Sequence, residues 1–99
     1  MSGRETLRSC GEWAHTTFGR ATIPRALARA EEELIEAKEA APEDVLEEIA
    51  DVVICLAAAA LSVGDLQTAI DRKMAINRER KWDVRGDGTG YHRKSLDAQ

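Results

Sequence analysis

Apolar residues recur along the chain at intervals of three and four, the spacing that places side chains on one face of a helix. In the second predicted helix, Ile23 and Leu27 begin such a stripe beside charged positions. Gly19, Pro42 and Gly64 interrupt the pattern and mark turns between helices. The pattern therefore predicts an all-α chain of four helices without strands. Their expected ranges are about 5–17, 22–40, 43–63 and 66–81.

The 99 residues are expected to form a single domain, 1–99, with an irregular tail that begins at about residue 83. Residues 19–81 contain no aromatic side chain, so the central core must be built from alanine and aliphatic residues. A core this thin is near the lower limit of what stabilises a domain alone. We therefore expect the chain to associate with copies of itself, as a homodimer or homotetramer.

The longest apolar stretch, from Val52 to Leu61, is much shorter than the roughly 20 residues that a membrane-spanning helix needs. No charged segment followed by an apolar one opens the chain, as a secretion signal would. These features predict a cytoplasmic protein that does not contact a membrane. Cys10 and Cys55 have no metal-type spacing and are expected to be reduced thiols.

Charge is distributed unevenly along the chain, although the net charge is only -4. Residues 31–51 carry ten acids and one base, whereas residues 66–99 carry eight bases and five acids. An acidic middle repels a nucleic-acid backbone, so we expect no nucleic-acid partner. An acidic centre followed by a basic segment suits a small phosphorylated ligand held with metal ions.

Four acids lie at mirror-image positions about Pro42: Glu36 and Glu48 are six residues from it, and Glu33 and Asp51 are nine. If two antiparallel helices turn at this proline, equal rise along each helix places the members of each pair level with one another. The i,i+3 spacing within each helix keeps its two carboxylates about 5–6 Å apart. The sequence thus predicts four carboxylates that face one another.

Two of these acids also border apolar rows. Glu33 interrupts a row of alanines, and Asp51 leads a row that continues with Ile54 and Cys55. A buried carboxylate without a partner is strongly destabilising, and a bound cation resolves that conflict. Oxygen ligands without a nearby histidine favour Mg²⁺ or Mn²⁺. The alternative is that the acidic run is simply a solvated helix face.

Segments 32–36 (EELIE) and 48–51 (EIAD) resemble the EExxE and ExxD motifs of the MazG-like all-α nucleoside triphosphate pyrophosphohydrolases. Segment 12–19 (EWAHTTFG) resembles the opening of a narrower branch, the MazZ-like dATP/dGTP diphosphohydrolases of phages and bacteria. One departure is Glu32, where relatives often have lysine. Further matches to this branch, within residues 12–93, are Lys73, Asn77, Arg80, Trp82, Asp87, Gly88 and His92.

This resemblance implies a MazG-like four-helix bundle assembled as an oligomer. It also implies a Mg²⁺-dependent enzyme that cleaves dGTP, or alternatively dATP or GTP, between the α- and β-phosphates. Two or three Mg²⁺ ions per site are expected, with Mn²⁺ as a substitute, and the host cytoplasm is the expected location if the chain is phage-encoded. The same reaction on another nucleotide, such as dUTP or dCTP, is an open alternative. A non-catalytic acidic helical oligomer that docks a basic partner is another.

The expected residue roles follow partly from the chemistry of the residues and partly from these matches. The metal ligands are expected to be Glu33, Glu36, Glu48 and Asp51, and either Glu36 or Glu32 is expected to accept a proton from the attacking water. Trp13 either stacks on the base or packs in the small core. Arg80 and Lys81 either contact the substrate or form an exposed basic helix end that the helix dipole favours. The expected substrate contacts are Lys73, Asn77, Arg80, Lys81 and Trp13.

Overall fold

The computed structural model describes residues 3–93, and it contains the four predicted helices. Each observed end lies within two residues of the predicted one. The chain divides into two compact units, the first ending at Gln67 and the second beginning at Thr68. The helices are α1 (Leu7–Phe18), α2 (Ile23–Glu39), α3 (Val45–Leu61) and α4 (Leu66–Glu79).

Side chains cap the first two helices at the points where their patterns begin. The Thr6 hydroxyl accepts a hydrogen bond from the Ser9 amide at 3.0 Å, and the Ser9 hydroxyl accepts one from the Thr6 amide at 2.7 Å. Thr22 caps α2 in a similar way, and Pro24 lies in the first turn, where a missing amide proton costs nothing. These caps fix where the two helices begin.

In the first unit, α1 and α2 both pack against α3. The α1–α3 contact is close because Gly11 has no side chain: a Cβ there would lie 2.8 Å from the Ala57 carbonyl oxygen. Near that contact, the His15 Nε2–H donates to the Ala58 carbonyl oxygen at 2.9 Å. Small residues and one hydrogen bond thus hold α1 directly on the backbone of α3.

The buried apolar residues in residues 3–93 are all alanines. No large side chain in this range is fully buried, and many aliphatic residues stay partly exposed. The thin core predicted from composition is therefore confirmed. The buried alanines are Ala14, Ala30, Ala37, Ala57 and Ala59.

The prediction of an irregular tail without strands is wrong for the residues described. Strands β1 (Trp82–Val84) and β2 (Gly90–His92) pair in antiparallel fashion in the second unit. Arg93 forms an ion pair with Asp83 at 2.8 Å, which ties β1 to the residue after β2. Both strands have three residues that are exposed throughout, so they lack the alternation that would reveal them. The part of the predicted tail beyond residue 93 lies outside the described residues.

Within residues 3–93, no single helix is long and apolar enough to cross a membrane, although α3 and α4 taken together meet that test by length and composition alone.

Candidate metal centre

Three carboxylates meet where α2 and α3 run beside each other. Glu33, Glu36 and Glu48 each offer an oxygen, and these three oxygens lie within 4.8 Å of one another. Glu33 and Glu36 are neighbours on one face of α2, and the turn between α2 and α3 at Pro42 brings Glu48 to their level. We call Glu33, Glu36 and Glu48 the acidic cluster.

Asp51, the fourth predicted ligand, lies outside the acidic cluster. Its side chain lines a cavity together with Glu33. The expectation that Asp51 borders a buried surface is only partly right, because Ile54 and Cys55 are half-buried but Asp51 is exposed. The cavity between α1 and α2 opens this part of α3 to water, which hydrophobic spacing alone does not reveal.

Glu33 is the one charged residue that is buried in residues 3–93, with 8% of its surface exposed. A side-chain hydrogen bond with Glu36 and burial both raise the pKa of Glu33, while Arg29 opposes the shift. A hydrogen bond between two carboxyl groups requires a proton on one of them. Without a cation the cluster therefore favours holding a proton, since like charges in close contact cannot all ionise cheaply.

Two arginines of α2 lie against these acids. Arg29 Nη2 donates to Glu33 Oε1, and Arg29 Nη1 lies 3.3 Å from Glu32 Oε1. Arg25 Nη1 also reaches Glu32, at 3.6 Å. Partial burial lowers the pKa of Arg29, but nearby acidic groups led by Glu33 outweigh it, so the pKa is raised. Glu32, a predicted candidate base, is thus placed between two guanidinium groups.

A cavity of about 450 Å³ opens between α1, α2 and α3 next to Glu33. Trp13 and Phe18 line one side in an edge-to-face pair, with ring centroids 5.4 Å apart. Arg25 and Arg29 line the cavity as well. Its wall is therefore apolar on one side and charged near the acidic cluster, an arrangement typical of small-molecule sites.

Cys55 also lines this cavity and is a free thiol. Burial and then the negative charge of Glu33 raise its pKa. The thiol is therefore protonated at neutral pH and is a poor metal ligand or nucleophile.

The other predicted substrate contacts lie in the second unit. Lys73 and Asn77 belong to α4, and Arg80 and Lys81 follow its last residue. The Asn77 carbonyl oxygen accepts a hydrogen bond from Trp82 Nε1 at 2.9 Å, so the backbone of this segment is ordered by its own aromatic residue. Their role in substrate binding stays a prediction.

Sequence reasoning missed Arg25 and Arg29. The signal was present: both arginines precede Glu33 at intervals of four, which places all three on one face of α2. The prediction considered the charges within the acidic run, whereas the two arginines lie in the mostly apolar stretch just before it.

The acidic cluster fits a hard divalent cation. It offers only oxygen ligands from three carboxylates, one of them buried, and such a set matches the preference of Mg²⁺ and Mn²⁺. A cation there would compensate for the carboxylate repulsion that Glu33 otherwise relieves by binding a proton. The residues present therefore fit a divalent metal.

The chain is similar in sequence and in fold to known nucleotide hydrolases. The chain is 42% identical over 81 residues to a dATP/dGTP diphosphohydrolase of Salmonella phage PMBT28, and it spans 28% of the length of that relative. The fold matches, at a TM-score of 0.77 and 27% identity, the cyanophage S-2L MazG-like pyrophosphohydrolase bound to dGDP and three catalytic Mn²⁺ ions per active site. That match covers 92% of this chain and 96% of the other.

Residues 6–98 match the model of the dATP/dGTP pyrophosphohydrolase family. This range covers both compact units and includes every residue of the acidic cluster and of the cavity wall. The chain belongs to the dATP/dGTP pyrophosphohydrolase family.

Proposed function

We propose that this protein hydrolyses a purine deoxynucleoside triphosphate, with dGTP as the first candidate and dATP or GTP next. The products would be the monophosphate and pyrophosphate, from cleavage between the α- and β-phosphates. The observation that carries the proposal is the convergence of the Glu33, Glu36 and Glu48 carboxylates beside a cavity. Family membership supports it independently.

In this proposal the metal ligands are Glu33, Glu36 and Glu48, and Asp51 joins them from the cavity wall. Bound Mg²⁺ or Mn²⁺, two or three ions per site, would neutralise phosphate charge and lower the pKa of a coordinated water. Glu36 is the preferred proton acceptor, because its side chain is exposed to water whereas Glu33 is buried. Glu32 is the second candidate, although its carboxylate is engaged by Arg25 and Arg29.

The cavity is the proposed site for the base and sugar. Trp13 is half-exposed and offers an aromatic face on which a purine can stack. As the sequence predicts, Lys73, Asn77, Arg80 and Lys81 are proposed to contact phosphate or sugar. The amino and guanidinium groups among them would stabilise the charge that develops on the leaving pyrophosphate.

We also propose that the active form is a homodimer or homotetramer in the cytoplasm, where free nucleotides are found. Support comes from the aliphatic residues that stay exposed on α2 and α3, since a chain with an alanine core gains stability by covering them. Leu34 and Ile35 on α2 each expose about half of their surface, at 49% and 54%.

The test is a panel of ribo- and deoxynucleoside triphosphates incubated with Mg²⁺ or Mn²⁺, with the products separated. We expect dGTP to yield dGMP and pyrophosphate. Glu48→Gln should reduce turnover about 100-fold or more. Mutating a residue that only hydrogen-bonds to a metal ligand typically lowers metal affinity or activity by about 10–100-fold, and the loss of a ligand should cost at least as much. Glu47→Gln removes the same charge from a neighbouring exposed position outside the acidic cluster, and should retain activity.

Other outcomes separate the alternatives. Release of diphosphate and phosphate would contradict cleavage at the α–β bond. Turnover of dUTP or dCTP in preference to purines would keep the reaction and change the substrate. No turnover of any nucleotide, together with no stabilisation by Mn²⁺, would favour an acidic module that docks a basic partner.

A further inference from the structure

One cationic side chain already contacts the acidic cluster, at Glu33. Arg29 donates to Glu33 Oε1, the oxygen-bearing group that is most deeply buried among the proposed metal ligands. A divalent ion and a guanidinium group both seek the lone pairs of this carboxylate. A metal ion that binds Glu33 would therefore compete with Arg29 for this carboxylate.

We propose that Arg29 is an internal counter-cation of the metal-free site, which a divalent ion displaces from Glu33 and which then binds a phosphate group of the nucleotide. This inference rests on the proposed function. It assigns Arg29 two successive partners, a carboxylate before metal binding and a phosphate oxygen afterwards.

The surroundings of Arg29 allow this exchange. Its side chain is 47% exposed, so it can leave Glu33 without breaking a packed core. Glu32 lies 3.3 Å from its other nitrogen and holds the guanidinium near the cluster during the exchange. Arg29 also lines the same cavity as Glu33 and Trp13, so the released group stays beside the proposed nucleotide site.

Phosphate is the partner that guanidinium chemistry favours. The planar fork of an arginine binds two oxygens of a phosphate at once, and such charge-assisted bonds are among the stronger ones in proteins. Arg25 lines the cavity one helical turn before Arg29 and reaches the same Glu32 carboxylate. Two guanidinium groups are therefore available where the metal-bound nucleotide would carry its negative charge.

The exchange predicts opposite effects of one substitution on two ligands. In Arg29→Gln, Mn²⁺ alone should bind about threefold to fivefold more tightly, because a competing and partly exposed ion pair is gone. At saturating Mn²⁺, a dGTP analogue with an imido group at the α–β bridge should bind about tenfold more weakly or worse. Free Mn²⁺ is measured by electron paramagnetic resonance, and analogue binding by calorimetry.

Two matched variants serve as controls. Arg8→Gln removes the same charge from an exposed residue that pairs with Glu12 outside the cavity, and should change neither affinity by more than about twofold. Arg29→Lys keeps the positive charge but lacks the planar guanidinium that can bind two phosphate oxygens at once. Its Mn²⁺ affinity should therefore stay near that of the wild type, while the analogue binds more weakly.

The outcomes separate this inference from the function on which it rests. Weaker Mn²⁺ binding in Arg29→Gln would overturn the inference, since it would mean that Arg29 supports the ligand Glu33 rather than competing for it. Unchanged binding of both ligands would overturn it as well, while leaving the proposed function intact. A wild-type chain that binds neither Mn²⁺ nor the analogue would overturn both.

Discussion

Glu33 is a buried carboxyl group, and its contribution to folding stability depends on whether a proton or a cation neutralises its charge. The hydrogen bond with Glu36 and burial raise its pKa above the ordinary glutamate value of 4.5, against the influence of Arg29. A raised pKa means that the folded state binds the proton more tightly than the unfolded chain. The contribution of the Glu33 proton to folding stability is fully present below the pKa that Glu33 has in the unfolded chain. It is lost as the pH rises through the higher pKa of Glu33 in the folded protein.

The residue-scale prediction compares Glu33→Gln with the wild type in the absence of metal. Glutamine keeps the shape but does not titrate, so the stability of the variant relative to the wild type should improve from about pH 4 to about pH 8. Each unit by which the folded pKa exceeds the unfolded one contributes about 1.4 kcal/mol to that change. Urea denaturation in the presence of a chelator, repeated across this pH range, measures it.

Glu36→Gln is not a suitable control, because Glu36 shares the hydrogen-bonded proton with Glu33. The control is Glu39→Gln, which alters an exposed acid of the same helix. Its stability relative to the wild type should change little over this pH range. A wild type that gains stability over Glu33→Gln as the pH rises would contradict the assignment of a raised pKa.

At the residue scale, burial could be predicted where it depends on neighbours along the same helix. It could not be predicted where it depends on the position of another helix. The alanines that flank Glu33 in its row placed it in the core, and Ala30 and Ala37 are indeed buried beside it. The same argument applied to Asp51 was only partly right, because Ile54 and Cys55 are half-buried but Asp51 itself is exposed beside the cavity. The ion pair of Arg29 was missed since side-chain partners four residues apart are common on any charged helix.

Helix α1 depends on one glycine for its contact with α3. A Cβ at Gly11 would meet the Ala57 carbonyl oxygen at 2.8 Å, too close for the backbone atoms to remain in place. Alanine in a helix is favoured over glycine by about 1 kcal/mol, whereas overpacking a tight contact costs about 1–3 kcal/mol. The second effect should win because the opposing atom belongs to the backbone.

The element-scale prediction is that Gly11→Ala lowers the free energy of unfolding by up to about 2 kcal/mol, the overpacking cost less the gain in helix propensity. Gly64→Ala is the control, because nothing lies within 4 Å of a Cβ at that position. Thermal denaturation followed by circular dichroism compares the two variants with the wild type. A Gly11→Ala protein more stable than the wild type would mean that α1 does not approach α3 this closely.

Whole helices were easier to predict than strands. A helix such as α2 repeats its pattern over 17 residues and carries a cap and a proline at its start, so several signals agree. The hairpin of β1 and β2 has only three residues in each strand, and its pairing depends on contacts such as that of Arg85 with Tyr91. Short, exposed segments leave too few positions for any periodicity to appear.

At the scale of the molecule, the amount of exposed aliphatic surface is large for so small a chain. On α3, Leu46, Ile49, Val53 and Leu56 recur at intervals of three and four, and each exposes at least 39% of its surface. This spacing makes them one stripe along the helix. A contiguous apolar stripe of this kind is typical of a surface that a partner covers.

The whole-molecule prediction is that this stripe joins copies of the chain. Val53→Glu combined with Leu56→Glu should convert the oligomer to a monomer, because each substitution places a charge where a second apolar surface would otherwise pack. Light scattering coupled to size-exclusion chromatography measures the mass. The wild type should also melt at a temperature that rises with protein concentration, since association stabilises only the folded state.

Val84→Glu is the matched control, because Val84 is 78% exposed and belongs to β1, so it is not part of the stripe on α3. Its mass and melting temperature should match those of the wild type. If the wild type is monomeric at every concentration, the exposed stripe does not bind another copy. If only the charged stripe variants are monomeric and they also lose Mn²⁺-dependent nucleotide hydrolysis, the active site requires the association, since neither Val53 nor Leu56 lies in the acidic cluster or lines the cavity.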